Sequence, residues 1–85
     1  MMEKKRIQEI VLSYFKKVNP KLKKINLEDD YFAAGYIDSL GAIEMICFIE
    51  EKFKIEFSTE DMENPDFKIV NGLINFIFSK IKKKK

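Results

Sequence analysis

The chain contains no histidine among its 85 residues, and its single cysteine is Cys47. Without histidine it cannot build a Ser-His-Asp triad or use an imidazole as a general base. One cysteine excludes an internal disulfide and a multi-cysteine zinc site. The three glycines are scattered along the sequence, so no glycine-rich loop is available to cradle a phosphate. These absences argue against an enzyme and favour a non-catalytic protein.

Long apolar runs are also absent. No stretch approaches the roughly 20 apolar residues that a membrane-spanning helix needs, so we expect no stable membrane insertion. Residues 1–6 lead into an amphipathic pattern rather than the uninterrupted apolar segment of a secretory signal, which favours a cytoplasmic protein. The length suits one domain over residues 1–85, with a core at about 5–81 and a basic tail at 82–85.

Acidic residues are concentrated in the middle of the chain. Residues 28–66 hold 12 of the 14 acidic residues but only two of the 16 basic ones, Lys52 and Lys54. This distribution predicts an acidic face that attracts basic partners and a separate basic face. Because the net charge is only +2, we expect no nucleic-acid binding. The basic first helix and tail leave a nucleic-acid or membrane binder as a distant alternative.

Hydrophobic spacing indicates four helices and no strand, which predicts an all-α four-helix bundle with three longer helices, one short third helix and a long first loop. Apolar residues over 7–18 recur at the i, i+3, i+4, i+7 spacing of an amphipathic helix, and Asn19-Pro20 ends it. The long loop follows over 19–38. We expect it to contain a short helical turn at 28–34, followed by Gly35 in a conformation that other residues avoid.

The second helix is predicted from about Ser39 to Phe53. Its inward stripe is expected to run from Ile43 or Leu40 through Ile46, Ile49 and Phe53, with Met45 filling space beside it. Its outward face is expected to carry Glu44, Cys47, Glu50 and Glu51. A short third helix at 59–63 follows from the capping-box spacing of Ser58 and Asp61. The fourth is predicted to begin at Asp66, as its N-cap, and to end near Ile81.

Ser39 is placed where the long loop meets the second helix. A hydroxyl there is exposed and lies beside unpaired backbone N–H groups, at the end of the helix where the dipole favours phosphate. Asp38 adds a charge that could help a transferase to hold a metal ion or to orient the serine. An aspartate and serine before an apolar run are, by themselves, most often a helix cap. Both interpretations stay open on these two residues alone.

The wider stretch around Ser39 resembles a known family. Residues 30–46, DYFAAGYIDSLGAIEMI, resemble the attachment region of acyl carrier proteins. Residues 48–57, FIEEKFKIEF, are similar to the end of their second helix and the loop after it. Segment lengths agree over about residues 5–81. The chain is therefore identified as a member of the acyl carrier protein family, of a discrete, specialised type.

The resemblance implies that Ser39 carries 4′-phosphopantetheine, added from coenzyme A by a phosphopantetheinyl transferase. The thiol of that arm would hold an acyl or aminoacyl group as a thioester. An acyl-loading ligase or transferase would load it, and downstream acyl-processing enzymes would receive it. The carrier itself would be a non-catalytic monomer. The resemblance also implies that Asp38 and Leu40 belong to the cofactor site around Ser39. Partners would contact the second helix at Ile43, Glu44, Glu50 and Glu51.

The cargo stays open at this stage. Gly41, Cys47 and the lysine-rich first helix differ from the carriers of fatty acid synthesis, which favours a carrier paired with a dedicated ligase. Ser39-Leu40-Gly41 is also similar to D-alanyl carriers, although these typically have methionine after the serine. A D-alanyl or other aminoacyl carrier is therefore one alternative. A carrier-like bundle that binds a protein partner without any cargo is the other.

Overall fold

The computed structural model describes residues 3–83. They form the helices α1 (Lys4–Val18), α2 (Ser39–Phe53), α3 (Thr59–Glu63) and α4 (Val70–Lys83), with a short 3-10 helix at Pro65–Lys68. The only strand-like pairing within this range is an isolated bridge between Asp30 and Ile69. The predicted all-α class, with a short third helix and a long first loop, is confirmed. None of the helices in the described range is long and apolar enough to cross a bilayer.

The ends of the bundle differ slightly from the prediction. Lys82 and Lys83, predicted as part of a basic tail, belong to the last turn of α4. Cations suit this position because the carbonyl end of a helix carries partial negative charge. Residues 84–85, the remainder of the predicted tail, lie outside the described residues.

One apolar core joins the long helices. α1 buries Ile7, Val11 and Phe15, which belong to its predicted stripe. α4 buries Val70, Leu73, Ile74 and Ile77 against them. The long first loop joins the same core through Tyr31, which is 1% exposed and whose ring lies 5.5 Å from that of Phe15. The loop is therefore anchored to the bundle by this buried aromatic residue.

The inward stripe predicted for α2 is wrong in its first half. The buried residues are Ala42, Met45, Ile49 and Phe53, and Ile46 is only partly buried. Leu40 and Ile43 are 69% and 61% exposed. Residues 40–49 are apolar at almost every position, so spacing alone cannot select the inward face. Contacts with the rest of the bundle select it instead, and two large apolar side chains remain in solvent.

The connection between α3 and α4 confirms one prediction and corrects another. The Ser58 hydroxyl accepts a hydrogen bond from the Asp61 N–H at 3.0 Å, and the Asp61 carboxylate accepts one from the Ser58 N–H at 2.8 Å. The predicted capping box is therefore present. The predicted start of the fourth helix at Asp66 is wrong, since α4 begins at Val70. Ile69 has extended backbone and pairs with Asp30 of the first loop, which interrupts the helix there.

Candidate functional site

Ser39 is the first residue of α2, and its side chain is exposed. Asp38 precedes it in an extended conformation and serves as the N-cap. Its Oδ1 accepts a hydrogen bond from the Gly41 N–H at 2.7 Å. The Asp38 carbonyl accepts the Ala42 N–H at 2.8 Å. Within residues 3–83, the Ser39 hydroxyl has no hydrogen-bond partner, so it is accessible to another molecule.

The turn before Ser39 is built by the carboxylate of Asp30. Its Oδ1 accepts hydrogen bonds from the N–H groups of Phe32 at 2.8 Å and Ala33 at 3.0 Å, which is the local bonding that favours aspartate in turns. Gly35 follows with φ +77°, in the left-handed region that favours glycine. The predicted turn at 28–34 and the predicted role of Gly35 are confirmed. An aspartate at the start of a turn is a sequence signal for this bonding, but the sequence analysis did not predict the role of Asp30.

Asn19 joins this turn to the end of α1. Its Nδ2 donates to the carbonyl oxygens of Gly35 at 3.2 Å and Tyr36 at 3.4 Å. The sequence indicated Asn19 only as the stop of the first helix. Because the two carbonyls lie just before Ile37-Asp38-Ser39, this side chain helps to fix where α2 begins. It is a positioning residue that sequence analysis missed.

Tyr36 provides the second anchor of the loop. It is 5% exposed, and its hydroxyl donates to Asp29 Oδ2 at 2.5 Å and accepts the Asn26 N–H at 3.0 Å. Burial, and then the hydrogen bond to the Asp29 carboxylate, raise the pKa of Tyr36 above its usual value. The hydroxyl therefore stays protonated at neutral pH and acts as a structural donor. The turn before Ser39 is therefore fixed at two places, by the side chain of Asn19 and by the side chain of Tyr36.

The exposed face of α2 carries most of the other predicted site residues. Leu40, Ile43, Glu44, Cys47 and Glu51 are all exposed. Leu40, Glu44 and Glu51 lie along one side of the helix, because successive members are four and seven residues apart. Glu50 differs, because it is half-buried and its Oε2 accepts the Phe57 N–H at 2.9 Å. The structure therefore brings Glu44 and Glu51 into the exposed acidic face and uses Glu50 to hold the loop after α2.

The surroundings of Ser39 suit a covalently attached phosphate. Within the described residues, the N–H groups of Ser39 and Leu40 have no backbone or side-chain acceptor, whereas Gly41 and Ala42 are satisfied by Asp38. Free N–H groups at a helix N-terminus favour an anion, and the helix dipole adds to this preference. The exposed hydroxyl and the two free donors lie on the same first turn of α2. The residues present therefore fit a phosphodiester at this position.

Comparison with known families agrees with this geometry. A family model described as a phosphopantetheine attachment site matches residues 5–68, a span that includes Ser39 and all of α2. The chain belongs to this family. Domains of the family receive 4′-phosphopantetheine covalently, and the chain is a carrier of acyl or aminoacyl groups on that cofactor. The predicted family and the predicted cofactor are confirmed.

Two curated relatives are similar to the chain. A D-alanyl carrier protein of Streptococcus suis is 34% identical over 56 residues, which cover 60% of this chain and 70% of the relative. A D-alanyl carrier protein of Streptococcus pyogenes serotype M5 is 28% identical over 68 residues, which cover 80% of this chain and 86% of the relative. No solved structure matches the chain.

Proposed function

We propose that Ser39 is the residue that carries the 4′-phosphopantetheine arm. The observation that carries this proposal is the free, exposed Ser39 hydroxyl on the first turn of α2, beside two unsatisfied N–H groups. When bound, the arm supplies a thiol that holds the acyl or aminoacyl group as a thioester. The chain holds the arm at a fixed position and contributes no catalytic group of its own. Loading and unloading are the work of partner enzymes.

Incubation with coenzyme A and a broad-specificity phosphopantetheinyl transferase tests this assignment. The wild-type protein should gain the mass of one arm, whereas Ser39→Ala should gain none. Ser58→Ala is the matched control, because Ser58 also lies at a helix N-terminus, where it caps α3. It should be modified like the wild type.

We further propose that partners dock on the exposed face of α2, at Leu40, Ile43, Glu44 and Glu51. The two carboxylates are complementary to a basic surface, and the two apolar side chains are available for burial. Exposed charges of this kind add little affinity, but they raise the rate of encounter and select its orientation. A carrier that visits several enzymes needs such fast and weak binding. Glu50 contributes less, since one of its oxygens is held by Phe57.

Charge reversal tests the docking face. Glu44→Lys and Glu51→Lys should lower kcat/KM of the transferase, and the difference from wild type should shrink as salt is added. Glu3→Lys is the control, because Glu3 is exposed and lies at the start of α1. An equal loss for all three variants would mean that net charge, and not this face, controls the encounter.

The cargo that we propose is a small aminoacyl group of the D-alanine class, loaded by a dedicated ligase in the cytoplasm, where coenzyme A is available. The names of the two relatives support this choice, and so does the Ser-Leu-Gly sequence at 39–41. Protein purified from its native cell with the thioester preserved would test it. An aminoacyl mass on the arm is expected, and a long-chain fatty acyl mass would contradict the proposal.

A further inference from the structure

A groove made of two adjoining cavities runs along the seam between α1 and α2 and begins beside Ser39. Its near half, of about 340 Å³, is bordered by Asp38, Leu40 and Glu44 of α2. Its far half, also of about 340 Å³, is bordered by Ile10, Phe48 and Lys52. Tyr14 and Val18 line both halves, so the two cavities adjoin. One end of the groove is therefore formed by the residues that flank Ser39 on either side.

The floor of the groove carries apolar side chains, and charged side chains such as Asp38 and Lys17 border it. The rings of Tyr14 and Phe48 stack at a centroid distance of 4.7 Å, which joins α1 to α2 across the middle. Ile10 is only partly buried, and Val18 is 47% exposed although it is a large apolar residue. Burial of solvent-exposed apolar side chains is favourable, so a groove lined by them is a candidate binding surface.

Polar groups are placed at intervals along this floor. Ser13 lies in the far half, Glu44 in the near half, and Tyr14 between them. Burial, and then the nearby carboxylate of Glu44, raise the pKa of the Tyr14 hydroxyl, so it keeps its proton at neutral pH. With charged side chains such as Asp38 and Lys17 at its borders, the groove therefore offers hydrogen-bond donors and acceptors along its length.

The length of the groove matches the reach of a chain attached at Ser39. The two helices are antiparallel here, since Val18 lies near Leu40 while Arg6 lies near Lys52. Phe48 is nine residues along α2 from Ser39, a rise of about 13 Å. An extended pantetheine chain has about as many linking bonds as five residues of peptide, which span roughly 16 Å. Its thiol can therefore reach Phe48 without any movement of the helices.

We propose that the arm of this carrier lies along the α1–α2 groove when no partner enzyme holds it. Pantetheine is an amphipathic chain, with two methyl groups and several methylenes separated by two amides. Its apolar parts match the floor formed by Tyr14, Val18 and Phe48, and its amides match the polar groups of Ser13 and Glu44. The proposal rests on the proposed attachment at Ser39. It gives α1 a role in binding the arm between visits to partner enzymes. α1 is not part of the docking face proposed on α2.

Contacts between the arm and isotope-labelled protein test the proposal directly. The protein is labelled with ¹³C and ¹⁵N, and the arm is transferred from unlabelled coenzyme A. Isotope-filtered nuclear Overhauser spectra should show contacts from the arm's methyl groups to Val18 and Tyr14. Attachment of the arm should also shift the amide resonances of Ile10, Ser13 and Phe48. Absence of these contacts in fully modified protein, or contacts confined to Ile43 and α3, would overturn the proposal.

A pair of variants separates the groove from the rest of the surface. Val18→Lys should still accept the arm but should lose the contacts between the arm and Tyr14. Met62→Lys is the matched control, because Met62 is a similarly exposed apolar residue on α3, 38% exposed against 47% for Val18. This variant should keep the contacts between the arm and Tyr14.

Two further measurements complete the test. Amide shifts that grow with protein concentration would place a second copy in the groove and overturn the proposal. Intact mass is measured first, because a protein without the arm contradicts the attachment at Ser39 itself, whereas a modified protein without contacts contradicts the groove alone.

Discussion

The carboxylate of Glu50 accepts a hydrogen bond from the backbone N–H of Phe57, with Oε2 and N 2.9 Å apart. This bond ties the end of α2 to the loop that leads into α3. Phe57 is 8% exposed, so its N–H has little access to water if the carboxylate is removed. We expect Glu50→Ala to lower the free energy of unfolding by about 1–2 kcal/mol, as measured by urea denaturation.

The adjacent Glu51 provides a matched control, because it is exposed and lies on the proposed docking face. Glu51→Ala should change the free energy of unfolding by less than about 0.5 kcal/mol. Equal stabilities for the two variants would show that the Glu50–Phe57 bond does not hold the loop in solution.

Gly72 is needed because the 3-10 helix passes very close to α4. A Cβ at this position would lie 1.9 Å from the carbonyl oxygen of Asp66, which is a backbone atom and cannot rotate away. Overpacking of this kind costs about 1–3 kcal/mol, and the better helix propensity of alanine returns only part of it. We expect Gly72→Ala to unfold at a clearly lower urea concentration. Asn75→Ala, an exposed position on the same helix, should not, and two equally stable variants would contradict the close approach.

The ion pair between Lys80 and Asp61 joins α4 to the short α3, with Nζ and Oδ2 2.6 Å apart. Lys80 holds the pKa of Asp61 below its usual value of 3.8. A lowered folded-state pKa gives stability that is fully present above pH 3.8 and is lost as the pH falls through the lower folded value. We expect Lys80→Met to cost up to about 1 kcal/mol at pH 7, because the pair is partly exposed.

A pH series of urea denaturations checks this prediction. The difference between wild type and Lys80→Met should shrink as the pH falls below 3.8. Arg6→Met is the control, because Arg6 and Glu9 are 3.4 Å apart and both side chains are more than half exposed. That variant should show no measurable loss. A Lys80→Met difference that is constant with pH would assign the effect to packing instead of charge.

Asp38 combines a cap with a charge beside Ser39, and two substitutions separate these roles. Asp38→Ala removes the acceptor for the Gly41 N–H and should cost about 1 kcal/mol, whereas Asp38→Asn keeps an acceptor and should cost only a few tenths. We expect both variants to accept the arm more slowly than wild type, since both lose the carboxylate. If Asp38→Asn were modified at the wild-type rate, the residue would be a cap alone.

Local signals in the sequence predicted the local structure well. The capping box of Ser58 and Asp61 and the helix stop at Asn19-Pro20 depend on neighbouring residues, and both are confirmed. The turn at Gly35 is confirmed for the same reason. The attachment region could be predicted because a run of consecutive residues, 30–46, carried the family resemblance.

Features that depend on distant contacts were missed. The inward face of α2 could not be predicted, because residues 40–49 are apolar on nearly every side. The start of α4 is set by pairing of Ile69 with Asp30, which lies 39 residues away. The role of Gly72 depends on the path of the chain at Asp66. Each of these requires knowledge of the packed structure, which spacing within one segment does not contain.

The most direct test of the central claim is to locate the arm on the chain after reaction with coenzyme A and a phosphopantetheinyl transferase. Cleavage at lysine releases residues 25–52 as one peptide, in which Ser39 is the only serine and threonine is absent. We predict that this peptide alone gains the mass of the arm, and that Ser39→Ala abolishes the gain. An arm found on any other peptide, or one that persists in Ser39→Ala, would contradict the assignment of Ser39.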